Sequence, residues 1–259
     1  MTAIGSNFAS RLVLAAIFGL SLLFHQSKIA LAGPDQLIIT GFEAPPYFYS
    51  DETGNPTGLL VELVRDASRK SGVPVNFVVT NWPRAQLEAK NGRADLIFPV
   101  VHTPEREAWL EYPHAPITRF EMMVFANRNP EFSFSGNVSD LKGLRIGKIA
   151  KGRMHPKFRL LEEGGQAYVE PRDNVRQLIN AVHHGRLDAF VAPRLMTLWT
   201  ADMIGIEGVE PFETPMGMSN IYLAFSRKSP KRAAWQRLRQ ALPSLEIRKS
   251  LFLASLADK

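Results

Sequence analysis

Arg106 stands at a position where a positive charge is unexpected. Thr103 and Pro104 precede it in an arrangement typical of a helix start, with threonine as N-cap and proline in the first turn. The helix macrodipole disfavours a cation in that turn. An arginine there is suited to hold an anion together with the free backbone amides. The alternative is a surface arginine that pairs with Glu105 or Glu107.

A second arginine, Arg153, stands in a similar position in the second half of the chain. It lies in the segment 151–156, Lys-Gly-Arg-Met-His-Pro, which follows an apolar stretch and precedes an amphipathic one. A second guanidinium facing the same site would favour a ligand with more negative charge than a plain zwitterion. A solvent-exposed arginine is the alternative.

Several kinds of catalytic and metal site are excluded by residue type or spacing. The chain has no cysteine and no Gly-x-Ser-x-Gly elbow, which excludes thiol catalysis, disulfides and that serine nucleophile. The segment 143–148 lacks the spacing and the hydroxyl of a phosphate-binding loop. We expect His183 and His184 to point apart on one helix, and we therefore predict no metal and no cofactor.

The elements that position these residues alternate between apolar strands and amphipathic helices, which predicts an α/β fold with a mainly parallel sheet. The apolar stretches are Leu37 to Thr40, Val75 to Val79, Leu96 to Val101, Leu144 to Ile149 and Ala189 to Ala192. Helical spacing occurs in Leu60, Leu63, Val64 and Ala67, closed by Gly72, and in Val175, Leu178, Ile179 and Val182, closed by Gly185.

A weak internal repeat indicates two lobes built alike. Residues 91–98, Asn-Gly-Arg-Ala-Asp-Leu-Ile-Phe, recur 93 residues later as 184–191, His-Gly-Arg-Leu-Asp-Ala-Phe-Val. In both copies a glycine ends a helix and a buried strand follows the aspartate. We expect Asp95 and Asp188 to be structural turn residues.

The first 32 residues have the composition of an export signal. Arg11 precedes a 13-residue apolar run, and Ala30 to Ala32 form a small-residue cleavage site, so we predict a signal peptide over residues 1–32 and a periplasmic location. The run is shorter than the roughly 18 to 20 apolar residues that span a bilayer. Export argues against nucleic acid as the partner of the basic run between Arg227 and Arg239, which we expect to be a solvated helix face.

An ordered set of short motifs resembles the periplasmic solute-binding proteins that serve ABC importers for polar amino acids, the type II, two-lobe family. Each motif is weak alone, but together they follow the family's order and spacing over nearly all of the mature chain. The motifs are Glu43 to Tyr49, Asp51 to Gly58 leading into Leu59 to Leu63, Gly92 to Asp95, Thr103 to Arg106, Asp140 to Gly147 and Gly185 to Asp188.

The resemblance implies the type II periplasmic binding protein fold, with two α/β lobes joined by two crossings. Residues 33–125 plus 221–259 would form lobe 1, and residues 126–220 would form lobe 2. The crossings would lie near residues 125–127 and 219–221, with a ligand bound in the cleft between the lobes.

The resemblance also implies roles for residues of lobe 1. Arg106 matches the arginine that grips the ligand's carboxylate in the family. Trp82 lies where relatives place an apolar or aromatic residue against the ligand, and a core tryptophan is the alternative. Tyr47 and Phe48 would form the other wall, and Glu43 would accept an amino group.

In lobe 2 the chain departs from the family's pattern. Arg153 and Met154 stand where relatives usually have small hydroxyl residues that meet the ligand. Ala192 and Pro193 replace the aspartate that holds the α-ammonium group in amino-acid binders. We therefore expect a ligand with at least one carboxylate and few ammonium contacts in lobe 2.

The resemblance implies a non-catalytic, monomeric protein that captures a small solute and presents it to an ABC permease in the inner membrane. Two alternatives stay open. Relatives include cyclohexadienyl and arogenate dehydratases, for which Glu43 or Glu170 would supply the proton. The other alternative is a sensory receptor that reports the solute to a membrane protein.

Overall fold

The computed structural model of the protein describes residues 35–150 and 156–244. The predicted signal peptide lies outside the described residues, as do Arg153 and Met154. The described strands are β1 (Leu37–Phe42), β2 (Tyr49–Ser50), β3 (Pro56–Thr57), β4 (Val75–Thr80), β5 (Leu96–Val101), β6 (Leu110–Glu111), β7 (Thr118–Asn127), β8 (Arg145–Ile149), β9 (Tyr168–Arg172), β10 (Ala189–Pro193), β11 (Val209–Pro211) and β12 (Gly217–Ser226). The described helices are α1 (Leu59–Ser71), α2 (Trp82–Asn91), α3 (Pro104–Glu107), α4 (Pro156–Glu163), α5 (Val175–His183), α6 (Arg194–Met203) and α7 (Arg232–Ala241).

The two helices predicted from apolar spacing are confirmed as α1 and α5. Each buries the residues that its spacing placed on one face, for example Leu60 and Val64 in α1. Gly72 ends α1 with φ 68°, a left-handed conformation that glycine adopts without a steric penalty. The five predicted strands are confirmed as β1, β4, β5, β8 and β10.

The main sheet has ten strands and is mixed. Its order is β4-β1-β5-β12-β7-β10-β8-β9, with β6 paired to β12 and β11 paired to β7. The pairs within β4-β1-β5 and within β10-β8-β9 are parallel, whereas β12 and β7 run antiparallel to their neighbours. The prediction of a mainly parallel sheet was therefore wrong. Hydropathy marks a strand as buried but does not report its direction.

The two parallel groups have the same topology, which confirms the internal repeat. In each group the strand that comes first in the chain, β1 or β8, lies in the middle, and the third strand, β5 or β10, contacts an antiparallel partner. The repeated Gly-Arg-x-Asp segments lead into β5 and β10. The repeated sequence therefore occupies equivalent places in two similar halves.

The strands β7 and β12 link the two halves through direct pairing. Thr118 to Met122 of β7 pair with Ile221 to Gly217 of β12, and Met122 to Ala126 of β7 pair with β10. The long strand β7 therefore pairs with strands of both halves.

Among the described residues, no helix is long and apolar enough to cross a membrane.

Candidate functional site

The helix start predicted before Arg106 is confirmed, but the helix is only one turn long. Thr103 is the N-cap with φ −146° and ψ 150°, and Pro104 begins α3. The Thr103 side chain is 5% exposed and makes no capping hydrogen bond within the described part of the chain. A four-residue helix aligns few peptide dipoles, so the guanidinium of Arg106 is the main feature here that suits an anion.

Arg106 and Trp82, both predicted to contact the ligand, contact each other. The Cζ atom of Arg106 lies 5.1 Å from the centroid of the Trp82 ring, in a cation–π arrangement. The Nη1 atom of Arg106 donates a hydrogen bond to the carbonyl oxygen of Val101 at 3.0 Å. These contacts orient the half-buried guanidinium beside the carboxyl end of β5.

Trp82 reaches this position because it is the first residue of α2, directly after β4. Asn81 caps the helix, and its side chain accepts a hydrogen bond from the backbone of Arg84 at 2.9 Å. The indole is half-buried and packs edge-on against Phe42 with a centroid distance of 5.4 Å. Trp82 is therefore anchored to the end of β1 while it supports Arg106.

Glu43 follows β1 and keeps part of its surface exposed. Its carboxylate accepts a hydrogen bond from the backbone N–H of Ser50, with distances of 3.3 and 3.4 Å to its two oxygens. Partial burial raises the pKa of the Glu43 carboxyl, against an opposing effect of the Ser50 hydrogen bond. Burial raises the pKa of Tyr49, and the nearby carboxylates of Asp51 and Glu43 raise it further.

Tyr47 and Phe48 lie in the core, whereas the resemblance implied that they form a wall of the cleft. Tyr47 is 5% exposed, and its ring lies 4.9 Å from that of Phe120. Phe48 is fully buried. The chain turns back between Ala44 and Phe48, where the backbone N–H of Ala44 donates to the carbonyl of Phe48 at 2.8 Å. This turn directs both rings inwards, and the sequence pattern did not reveal it.

Arg153 and Met154 cannot be placed, because both lie outside the described residues. Ala192 and Pro193, which replace the expected aspartate, are buried at the end of β10. Arg194 follows them and donates to Glu121 at 3.3 Å. This pair could not be predicted from the sequence, because Glu121 is 73 residues away on β7.

The histidine pair and the basic run singled out in the sequence form side-chain pairs. The rings of His183 and His184 contact each other with centroids 5.0 Å apart, which corrects the expectation that they point apart. Within the described ranges, no cluster of three or more histidine or acidic side chains could hold a metal ion. In the basic run, Lys231 pairs with Asp95 and Arg237 with Asp35.

A cavity of about 380 Å³ lies next to the turn that carries Arg106, and we call it the Thr103 cavity. Its described lining comes from residues 101–104, from Pro156 and Arg159 at the start of α4, and from residues 218–220 and Tyr222 of β12. Pockets of about 300 to 1,000 Å³ are typical of small-molecule sites. The cavity therefore has the size of a ligand site and brings together both halves of the chain.

Three polar residues of this cavity were not predicted from the sequence: His102, Arg159 and Asn220. The His102 ring contacts Tyr112 with a centroid distance of 4.6 Å, and its Nε2 atom lies 2.6 Å from the Glu107 carboxylate. His102 directly follows β5, and the rule that ligands bind just after the strands could have identified it. Arg159 and Asn220 carry no comparable signal, because only the tertiary fold brings α4 to β12.

Comparison with known proteins relates this geometry to a family. The model of the bacterial extracellular solute-binding proteins, family 3, matches residues 38–198. The amino-acid-binding protein AabA of Dichelobacter nodosus is 24% identical over 162 residues, which are 62% of this chain and 62% of that protein. A probable amino-acid ABC transporter-binding protein of Haemophilus influenzae is 24% identical over 194 residues, 74% of this chain and 73% of that protein.

Solved structures show the same fold at low sequence identity. A histidine kinase sensor domain with similarity to periplasmic binding proteins superposes with a TM-score of 0.73 at 18% identity, covering 86% of this chain and 95% of that one. The ancestral amino-acid-binding protein AncCDT-1, a precursor of cyclohexadienyl dehydratase, gives 0.67 at 18% identity, covering 85% and 95%. The fold is therefore the two-lobe periplasmic binding protein fold, and the chain belongs to family 3 of the bacterial extracellular solute-binding proteins.

Proposed function

We propose that this protein captures a small, carboxylate-bearing solute, an amino acid or a related organic acid, between its two lobes and delivers it to an ABC permease. The observation that carries the proposal is the oriented guanidinium of Arg106, which lies over Trp82 beside the Thr103 cavity. A guanidinium fork matches the two oxygens of a carboxylate. An apolar or planar part of the solute would pack on the exposed part of Trp82.

The further contacts of this proposal come from both lobes. Glu43 would accept an amino group where the solute has one, and Arg153 and Met154 would approach from lobe 2. Tyr47 has too little exposed surface to contribute much. The lobe boundaries, 33–125 plus 221–259 against 126–220, are part of the proposal, and the partner change along β7 supports a crossing in this region.

Location and partners follow from the same proposal. Family 3 is described as extracellular, and a relative in Haemophilus influenzae is named as an ABC transporter-binding protein. We infer cleavage after residue 32, a periplasmic monomer and a permease in the inner membrane as the partner. Nucleic acid is not part of this function.

A screen of melting temperatures against amino acids, organic acids and polyamines tests the proposal. A solute that binds the folded state alone raises its stability by mass action, by about 2.7 kcal/mol at a hundredfold excess over Kd. The proposal predicts that carboxylate-bearing solutes give the largest shifts. If only solutes without a carboxylate shift the melting temperature, the proposal is wrong.

An enzyme on the same fold is a second candidate, favoured by the raised pKa of Glu43. A raised pKa suits a carboxyl group that donates a proton. Glu170 suits this role less well, because it pairs with Arg172 at 2.7 Å. Formation of an aromatic product from prephenate or arogenate, lost in Glu43→Gln, would favour the enzyme.

A further inference from the structure

The described lining of the Thr103 cavity is rich in polar side chains and includes one guanidinium. Arg159 contributes a guanidinium, His102 an imidazole, and Asn220 and Tyr222 further polar groups. None of the lining residues that the structure describes is acidic. A cavity with this lining suits an oxyanion better than an ammonium group.

Two acidic groups near the cavity are each paired with a side chain of its lining. Glu107 lies against the Nε2 atom of His102 at 2.6 Å, and Glu163 forms an ion pair with Arg159, with 3.4 Å between its carboxylate and the Nε atom. The second pair has an i,i+4 spacing on α4 and is exposed, so it contributes little to stability. A guanidinium has five N–H donors, and Glu163 engages one nitrogen in this structure.

The oxygen of Asn220 is also engaged. It accepts a hydrogen bond from the Nε atom of Arg119 at 3.2 Å. This contact turns the Asn220 side chain so that its amide N–H groups are the part left to meet a ligand. Asn220 is therefore oriented as a donor.

The cavity and Arg106 share one turn of the backbone. Val101, Thr103 and Pro104 line the cavity, and Val101 accepts the hydrogen bond from Arg106. Arg159 approaches from the opposite half of the chain, on α4. A solute held at Arg106 by one carboxylate can therefore extend towards Arg159 along this turn.

We propose that the Thr103 cavity is a second anion subsite, in which Arg159 and Asn220 hold a second acidic group of the solute. The preferred solutes are then dianionic, such as dicarboxylates and acidic amino acids. This inference rests on the proposed function, because the first carboxylate of the same solute is held by Arg106. Arg159 acts as a specificity-determining residue that distinguishes an acid from its amide.

Calorimetry with matched pairs of solutes tests the inference. The pairs are L-glutamate with L-glutamine, L-aspartate with L-asparagine, and succinate with succinamate, which differ in one acidic group at nearly the same size. The proteins are the wild type, Arg159→Gln and the control Arg176→Gln, which removes an exposed arginine from α5 outside the cavity. Melting temperatures establish that each variant is folded, and Asn220→Ala serves as the second probe if Arg159→Gln does not fold.

For the wild type we expect at least one acid to bind about tenfold more tightly than its amide, as loss of a charged hydrogen bond implies. Arg159→Gln lowers that ratio towards one with little change for the amide, and Arg176→Gln leaves it unchanged. Equal binding of acid and amide, or an equal loss of both in Arg159→Gln, overturns the inference but leaves the proposed function standing. If no carboxylate-bearing solute binds the wild type, the proposed function fails and this inference fails with it.

Discussion

Arg106 is oriented on two sides before any ligand arrives. Its Nη1 atom donates to Val101, and the plane of Trp82 supports its Cζ atom at 5.1 Å. A side chain that is already ordered loses less conformational entropy on binding, so more of the charge interaction appears as affinity. Trp82 therefore contributes to binding by holding Arg106 in place, whether or not its ring touches the solute.

Glu43 gives a prediction about pH at the scale of one residue. Its pKa in the folded protein is raised above the ordinary value of 4.5. The stability gained from protonation is therefore fully present below that value and is lost as the pH rises through the folded-state pKa. Glu43→Gln stays neutral, so we expect it to match the wild type at about pH 4 and to melt at a higher temperature at about pH 7.

Thermal unfolding between these two pH values checks the Glu43 prediction. Glu52→Gln is the control, because it removes an exposed carboxylate from the same region. A Glu43→Gln variant that melts below the wild type at neutral pH would show that the charged form is the one the fold stabilises.

At the scale of elements, the aspartates of the internal repeat connect neighbouring parallel strands by hydrogen bonds. Asp95 connects the start of β5 to β1, and Asp188 connects the start of β10 to β8. Asp95 accepts from the backbone N–H of Ile38 at 2.7 Å, and Asp188 accepts from that of Arg145 at the same distance. Their surroundings differ. The Asp95 side chain is 3% exposed and also accepts from Ser229 and Lys231, whereas the Asp188 side chain is 29% exposed and pairs with Arg145.

This difference predicts unequal effects of the same substitution. Asp95→Asn leaves the half-buried Lys231 without its charge partner and should cost about 3 kcal/mol, as for other broken buried pairs. Asp188→Asn should cost about 1 kcal/mol, because water screens its pair with Arg145. Urea unfolding measures both free energies. Equal costs, or a larger cost at Asp188, would contradict the assignment of Asp95 as the buried member of the repeat.

The same elements show how far the sequence could lead. The spacing of Leu60 and Val64 predicted α1, and the Gly-Arg-x-Asp repeat predicted two similar halves, because both signals are local. The direction of β7 and β12 could not be predicted, since pairing over about 100 residues leaves no periodic pattern. The approach of Arg159 to β12 was missed for the same reason. The inward direction of Tyr47 was missed because it depends on a local turn between Ala44 and Phe48 that no sequence pattern marks.

At the scale of the whole molecule, an aromatic contact joins the two proposed lobes outside the main sheet. Tyr49 lies on the β2–β3 hairpin and Trp199 lies on α6, and their ring centroids are 6.4 Å apart at an interplanar angle of 60°. Edge-to-face pairs of this kind contribute about 0.5 to 1.5 kcal/mol. Closure on a ligand would be a shift between open and closed populations, and we expect this contact to favour the closed one.

Trp199→Leu should therefore accelerate solute dissociation by about two- to tenfold, with a smaller effect on association. Stopped-flow displacement of a solute identified in the thermal screen measures both rates. Leu198→Ala is the matched control, because Leu198 is its exposed neighbour on α6. An unchanged dissociation rate in Trp199→Leu would mean that the aromatic contact does not stabilise closure.

The central claim is that Arg106 holds a carboxylate of the solute, and titration calorimetry of Arg106→Ala against the wild type tests it most directly. Loss of a charged hydrogen-bond partner costs about 1.5 to 3 kcal/mol, so Kd for the tightest carboxylate-bearing solute should rise about ten- to a hundredfold. Arg69→Ala, which removes an exposed arginine from α1, should leave Kd unchanged. If the tightest solute is a cation without a carboxylate, and Arg106→Ala binds it as well as the wild type does, the account is contradicted.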